Sequence, residues 1–300
     1  MKEIVIIGGM TACGKSAAAV ELALRLDGEV ISADSAQIYR GMDIGTAKIS
    51  QAEMQGVPHH LIDELEPDEA YNVAVFKARA KGLIDEIHAR GRLPIICGGT
   101  GFYINALLYD ADFEGGQADH ALRTQLEKMD GDELFAQLQE LDPAAAEAID
   151  KNNKKRVVRA VEYFKSTGKK ISEHNEAQKQ RQPAYDAKIF ILSSERQSMY
   201  ARINKRVDDM LAQGLVAEVA GLLQAYDPSL TSMQAIGYKE IIQHLQGQST
   251  LDEAINAIKQ GTRRFAKRQL TWFKHQLPHA TWLDVDDTSQ GQALTLCNSY

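Results

Sequence analysis

Gly9-Met10-Thr11-Ala12-Cys13-Gly14-Lys15-Ser16 decides how this chain is read. It fits the pattern G-x-x-x-x-G-K-[S/T], and it has the flanks that pattern requires. A continuous apolar run of strand length over residues 3–7 precedes it, and Ala and Leu at helical spacing over residues 16–26 follow it. Strand, glycine loop and helix in that order build a phosphate cradle. The glycines let consecutive backbone N–H groups converge on an anion at the positive end of a helix. Lys15 adds a full charge, and the Ser16 hydroxyl is a candidate Mg2+ ligand.

The pattern repeats on either side. Residues 29–31 give a second short strand ending in Ser32-Ala33-Asp34-Ser35, and residues 93–97 a third, closed by Gly98-Gly99-Thr100-Gly101 before a helix start at Phe102. Strands alternating with helices imply an α/β fold with a doubly wound parallel sheet of the P-loop NTPase-like kind. Ligands bind beyond the carboxyl ends of such strands, where all three junctions lie. After Tyr109 the chain changes to polar helical segments (118–128, 131–140, 144–149, 154–166), and no strand-like run returns until 188–192. This predicts a helical insertion domain over 112–183 in a catalytic core made of 1–111 and 184–300. Helices follow to Gln276, residues 281–285 read as a last edge strand, and the tail 288–300 as loose.

Composition narrows the class. The 300 residues are 44% hydrophobic and 25% charged, ordinary for a folded globular protein of one large or two modest domains. No apolar run approaches the roughly 18 residues of a membrane span, and Met1 leads directly into strand and loop without a leader profile, so membrane and secreted classes fall away. Cys13, Cys97 and Cys297 are sparse and form no CxxC, which argues against a disulfide framework or a structural zinc site and for the cytoplasm. His59-His60, with no Cys or acid cluster beside it, reads as structural hydrogen bonding.

The net charge of −7 conceals a segregation. Residues 110–150 hold twelve acids and two bases, residues 151–181 ten bases and three acids, and residues 259–274 six bases and no acid. A charge run is ordinarily a solvated helix face, but two unopposed basic blocks in an acidic chain fit local binding of a polyanion.

A phosphate cradle leaves hydrolase and kinase chemistry open. A hydrolase needs a strand of four apolar residues ending in an acid, whereas the strand 93–97 ends in Gly98-Gly99. The other strand end offers Asp34, a residue type equally at home as a turn or helix-cap acid. The Ser35-Ala36-Gln37-Ile38-Tyr39 that follows it is dense in hydrogen-bonding side chains and looks like an edge for reading a base.

The cradle, Asp34 to Lys48, Pro58-His59-His60-Leu61-Ile62-Asp63, Gly98 to Tyr103, Arg156 to Glu162, Met233 to Glu240 and Arg263 to Phe273 together resemble the tRNA dimethylallyltransferase family, in order from residue 4 to about 285. Met10 and Ser16 depart from that family's usual proline and threonine; Ser16 keeps the hydroxyl, and Met10 bears on loop stiffness.

The resemblance implies transfer of a dimethylallyl group from dimethylallyl diphosphate to N6 of adenine 37 in tRNAs reading codons that begin with U. It further implies Mg2+ as cofactor, the tRNA anticodon stem-loop as partner, and a monomer with no obligate protein partner. The residues Gly9, Met10, Thr11, Ala12, Cys13, Gly14, Lys15 and Ser16 would hold the diphosphate. Asp34, Thr11 and Arg206 would be catalytic. Asp34, Ser35, Ala36, Gln37, Thr100, Lys155, Arg156, Arg159, Arg263 and Lys267 would bind tRNA. On the last long helix Ile255, Ile258, Thr262, Phe265, Gln269 and Trp272 form an expected core stripe, with Lys259, Arg263, Lys267 and Lys274 facing phosphates. Two other enzymes fit less well: a small-molecule P-loop kinase, and an adenylate isopentenyltransferase, for which a basic helical insertion has nothing to bind. A non-catalytic RNA-binding module would not need Lys15 and Ser16.

Overall fold

A computed structural model describes residues 1–113 and 120–286 of the chain. The tail 288–300, with Cys297, lies outside the described residues. Six strands, β1 Glu3–Gly9, β2 Gly28–Ser32, β3 His59–His60, β4 Leu93–Gly98, β5 Asp186–Ser193 and β6 Thr281–Asp284, form one parallel sheet in the order β3-β2-β4-β1-β5-β6. β1 sits between β4 and β5 and is buried from Ile4 onward, which is why it reads as an unbroken apolar run rather than an alternating one.

β3 has no signal in the sequence, because two residues are too few for a period. It is held to Val30 and Ile31 by the ladder and by His60, whose Nε2 lies 2.7 Å from the buried Glu29 carboxylate. Burial pushes the Glu29 pKa up, but Arg90, Arg92 and His60 outweigh it and hold the group at about 2.

In chain order the helices of the core are α1 Lys15–Leu26, α2 Gln51–Met54, α3 Val73–Ala89 and α4 Gly101–Leu108. The insertion holds α5 His120–Lys128, α6 Gly131–Leu141, α7 Pro143–Ala148, α8 Lys154–Thr167 and α9 Ile171–Lys179. The core resumes with α10 Arg196–Gln213, α11 Leu215–Leu222, α12 Tyr238–Leu245 and α13 Leu251–Gln276. No helix among the described residues is long and apolar enough to cross a membrane.

The chain divides into two units, one holding Met1–Leu108 and the chain from Ala184 onward, the other Tyr109–Pro183. The insertion thus begins at Tyr109 rather than at 112: the apolar α4 closes at Leu108, and Ala184 N–H, where the chain returns, donates to the Leu108 carbonyl at 2.7 Å. Each unit has its own core. In the larger one Val5, Ile7, Val30, Ile95, Phe190 and Leu192 of the sheet pack with Ala19 and Leu22 of α1. In the insertion Leu126, Leu134 and Leu138 pack on Val157, Val158 and Val161 of α8.

α13 corrects the expected stripe. Its buried residues are Ala254, Ile258, Ala266, Gln269 and Phe273, and Phe265 is 37% exposed. Neighbouring residues on a helix differ by about 100°, so a broad apolar stripe leaves the choice between adjacent positions to packing. Here the small Ala266 is the one that joins the core around β1 and α1.

Candidate active site

The cradle is bent into place by its backbone. Gly9 at the end of β1 has φ +147°, and a Cβ there would stand 2.5 Å from the Leu192 carbonyl oxygen of the adjacent strand. Ala12 and Gly14 adopt left-handed conformations, with φ +62° and +83°. Met10 and Cys13 point into the core, so the loop is anchored by burial where a proline ring is absent. Lys15 opens α1 and donates from Nζ to the Met10 carbonyl at 2.6 Å, an arrangement that holds the ammonium over the loop. The Ser16 hydroxyl is exposed and has no partner among the described residues. Behind the loop, Arg202 of α10 donates to the Ala12 carbonyl at 3.2 Å and to Asp286 at 2.6 Å. Asp286, bonded first by Arg202 and also by Ser194, is held down at about 2.

Asp34 stands just past the end of β2. Its Oδ1 accepts from the N–H groups of Ala36, at 2.9 Å, and Gln37, at 3.4 Å. Its Oδ2 has no hydrogen-bond partner among the described residues. The turn role thus leaves the second oxygen available, since one oxygen ties the turn and fixes the aim of the other. Arg206 of α10 lies close enough for mutual electrostatic influence: burial lowers its pKa from the ordinary arginine value, and the charge of Asp34 opposes that.

Beside Asp34, Thr100 N–H donates to the Ala33 carbonyl at 3.2 Å and its hydroxyl accepts from Ser35 N–H at 3.3 Å. Gln269 of α13 accepts from Thr11 N–H and donates to the Gly99 carbonyl, both at 2.9 Å.

The wall between Gly41 and Ser50 is clamped from below. The Glu218 carboxylate accepts from the N–H groups of Asp43, Ile44 and Gly45, at 2.7 to 3.0 Å, and from the Tyr238 hydroxyl at 2.7 Å. The Lys48 side chain is buried, with its ammonium bonded to the Tyr39 carbonyl, Asp43 and Asp63. The amide nitrogen of Gln37 is taken up by the carbonyls of Thr46 and Ala47, at 3.3 Å each, so only its oxygen is left to meet a ligand.

These elements enclose one cavity of about 1210 Å³, lined by Thr11, Lys15, Ser16, Asp34, Arg206 and the exposed ring of Phe265 among others. It is built wholly within the larger unit.

The basic residues outside the cavity fall into two kinds. In the insertion, Lys155 and Arg156 are exposed and without a partner among the described residues, whereas Arg159 reaches the buried Glu162 at 3.4 Å and lies over the Tyr163 ring. In the larger unit, Lys267 is exposed and likewise without a partner. Arg263 donates to Asn204 at 2.6 Å and lies over Tyr200, and Lys259 pairs with Asp208 at 2.5 Å.

Gln269 reads in the sequence as a core position within the stretch Arg263 to Phe273, and Arg202 and Glu218 carry no signal of their own. Tertiary hydrogen bonds define all three.

Comparison with known proteins places the chain. The family model described as IPP transferase matches residues 37–276. The tRNA dimethylallyltransferase of Lachnoclostridium phytofermentans is 50% identical over 292 residues, covering 96% of this chain and 93% of the relative. That of Anoxybacillus flavithermus is 47% identical, covering 95% and 91%. Among solved structures, the tRNA isopentenylpyrophosphate transferase of Bacillus halodurans superposes with a TM-score of 0.73 at 46% identity, covering 95% of this chain and 90% of that one. A eukaryotic dimethylallyltransferase acting on tRNA superposes with a TM-score of 0.87 at 30% identity, covering 100% and 78%. A phosphate cradle facing a carboxylate within one cavity, and kinship along nearly the whole length, lead to the same place: the chain belongs to the IPP transferase family, among the tRNA dimethylallyltransferases.

Proposed function

We propose that this chain transfers the dimethylallyl group of dimethylallyl diphosphate to N6 of adenine 37 in tRNAs that read codons beginning with U, acting as a monomer in the cytoplasm. The observation that carries this reading is the Asp34 carboxylate, with one oxygen committed to its turn and one free, in the same cavity as a complete phosphate cradle.

The exocyclic amine is a poor nucleophile because its lone pair is delocalised into the ring. Oδ2 of Asp34 accepts a hydrogen bond from N6–H and orients that lone pair toward C1 of the allyl group. The C1–N6 bond forms as the C1–O bond to diphosphate breaks, and the N6 proton passes to Asp34. A positioned general base of this kind contributes about 10² to 10⁴ in rate. Lys15 and Arg206 supply preorganised positive charge for the departing diphosphate. The Thr11 backbone N–H is already bonded to Gln269, so the Thr11 hydroxyl is what this residue offers the bridging oxygen.

The adenine must leave its stack to reach the site. Ser35, Ala36, the free oxygen of Gln37 and Thr100 form the edge that receives it, while Lys155, Arg156, Arg159, Arg263 and Lys267 meet the RNA backbone. Mg2+ fits the donor set, because the exposed Ser16 hydroxyl stands at the mouth of the cradle and this ion commonly takes few protein ligands, the rest being phosphate and water. When bound it would supply further positive charge to the diphosphate.

Nucleoside mass spectrometry tests the whole reading. An unmodified tRNA transcript incubated with the protein, Mg2+ and dimethylallyl diphosphate should yield N6-dimethylallyladenosine at position 37. Phosphoryl transfer from ATP to an added nucleotide, with no prenylated nucleoside, would overturn it in favour of a kinase.

A further inference from the structure

Gln269 joins two turns that are far apart in the chain and that serve opposite substrates in the reading above. Its side-chain oxygen accepts from Thr11 N–H in the diphosphate loop, and its nitrogen donates to the Gly99 carbonyl, next to Thr100 in the turn that faces the base. Only 7% of the residue is exposed, so water is poorly placed to substitute for either bond. Gly99 is part of the same fit, because a Cβ there would collide with the Gln269 amide nitrogen.

From Gly99 the linkage continues through the backbone to Thr100, whose N–H bonds to Ala33 and whose hydroxyl accepts from Ser35 N–H. Asp34 sits between those two residues. A continuous path thus runs from the residue beside the leaving group to the carboxylate that orients the amine, and the Gln269 amide is its one side chain supplied from outside both turns.

We infer that Gln269 is a positioning residue that sets the distance between the donor cradle and Asp34. The inference rests on the prenyl-transfer reading. The amide contacts each turn through its backbone, so removing it leaves the groups that bind diphosphate and adenine in place but loosens their mutual register. An in-line displacement depends on that register, whereas separate binding of each substrate does not. The loss therefore belongs to the rate at saturation and not to either affinity.

Two variants test this. Gln269→Leu removes both bonds at similar volume. Gln269→Glu keeps the acceptor for Thr11 N–H, and its carboxylate can donate to Gly99 only when protonated. The measurements are the single-turnover rate at saturating donor and tRNA, the dissociation constant of each substrate alone, and the pH dependence of the ratio of variant to wild-type rate.

Both variants should lose about tenfold or more in rate, since misplacement by an ångström can cost up to about 10²-fold, with both dissociation constants nearly unchanged. The Glu variant's ratio should rise as the pH falls from about 8 to about 6, because a buried carboxyl titrates above its ordinary value and its acid form restores the missing donor.

A Glu variant with a wild-type rate, a loss lying wholly in either dissociation constant, or a ratio flat with pH would each overturn the inference. Should the Leu variant not fold, the Glu variant decides alone. A wild-type protein that makes no prenylated adenosine would instead overturn the functional reading beneath it.

Discussion

At the scale of single residues, Asp34 makes the sharpest case, because its two oxygens do separate work. Asp34→Asn keeps an oxygen to accept the Ala36 N–H and so keeps the turn, but it removes the proton acceptor. Its single-turnover rate should fall by about 10² or more while tRNA affinity holds; a rate within about threefold of wild type would take Asp34 out of the proton transfer. Lys15 gives the complementary result. Lys15→Ala strips the charge over the cradle, so calorimetry should show weakened diphosphate binding with tRNA affinity nearly unchanged, and the reverse pattern would mean that the loop does not hold the donor. Cys97, which lines the same cavity, offers no competing nucleophile: burial raises its thiol to about 12, leaving it protonated at neutral pH.

Among the elements, a buried carboxylate ties three helices of the insertion together. Asp142 is fully buried where α6 meets α7. It accepts from the Ala145 N–H at 3.1 Å and, on α9, from the Ser172 hydroxyl at 2.6 Å and the Ser172 N–H at 2.9 Å. Burial pushes its pKa up, but those bonds outweigh it and hold the group below the ordinary value, so its contribution is complete above about pH 4 and fades as the pH falls further. Asp142→Ala leaves these donors unpaired at about 1–3 kcal/mol each. Because the insertion has a core of its own, the variant should lose the insertion's structure and tRNA affinity while the larger unit still binds dimethylallyl diphosphate, a split that calorimetry with each ligand would show. Loss of both together would make the two cores one cooperative unit.

What the sequence discloses also varies with the element. β1 and β4 are legible because strands covered on both faces read as unbroken apolar runs, β5 through its apolar stretch 189–192, and the cradle because its chemistry lies in consecutive residues. The facing of Phe265 and Ala266 is not legible, since helical periodicity does not choose between neighbours. The Glu218 clamp is not legible either, since the three backbone N–H groups it holds lie more than 170 positions away.

Over the whole molecule, charge decides whether tRNA binding can be traced to particular side chains. The chain carries −7, so it repels a polyanion at long range, and screening confines attraction to about 8 Å at physiological salt. Binding must then come from contact. The two basic blocks that look alike in the sequence are not uniform in the structure. Lys155, Arg156 and Lys267 have no partner among the described residues, whereas Arg159 and Arg263 are engaged by Glu162 and Asn204. A lysine or arginine that neutralises a phosphate releases a counterion, so each such contact contributes up to about one unit to the slope of log affinity against log salt. Lys155→Ala with Arg156→Ala should therefore reduce the slope by up to about two units and weaken tRNA binding, with the donor dissociation constant and the unfolding temperature unchanged. Arg159→Ala should behave differently: it leaves Glu162, 2% exposed, with the more distant Arg123 at 3.8 Å in place of two cations, so it should lower the stability of the insertion as well as the affinity. A salt series on wild type and these variants separates the two roles. Slopes and affinities of the Lys155, Arg156 double variant identical to wild type would mean that this face of α8 is only solvated, and that the insertion is not the element that binds tRNA.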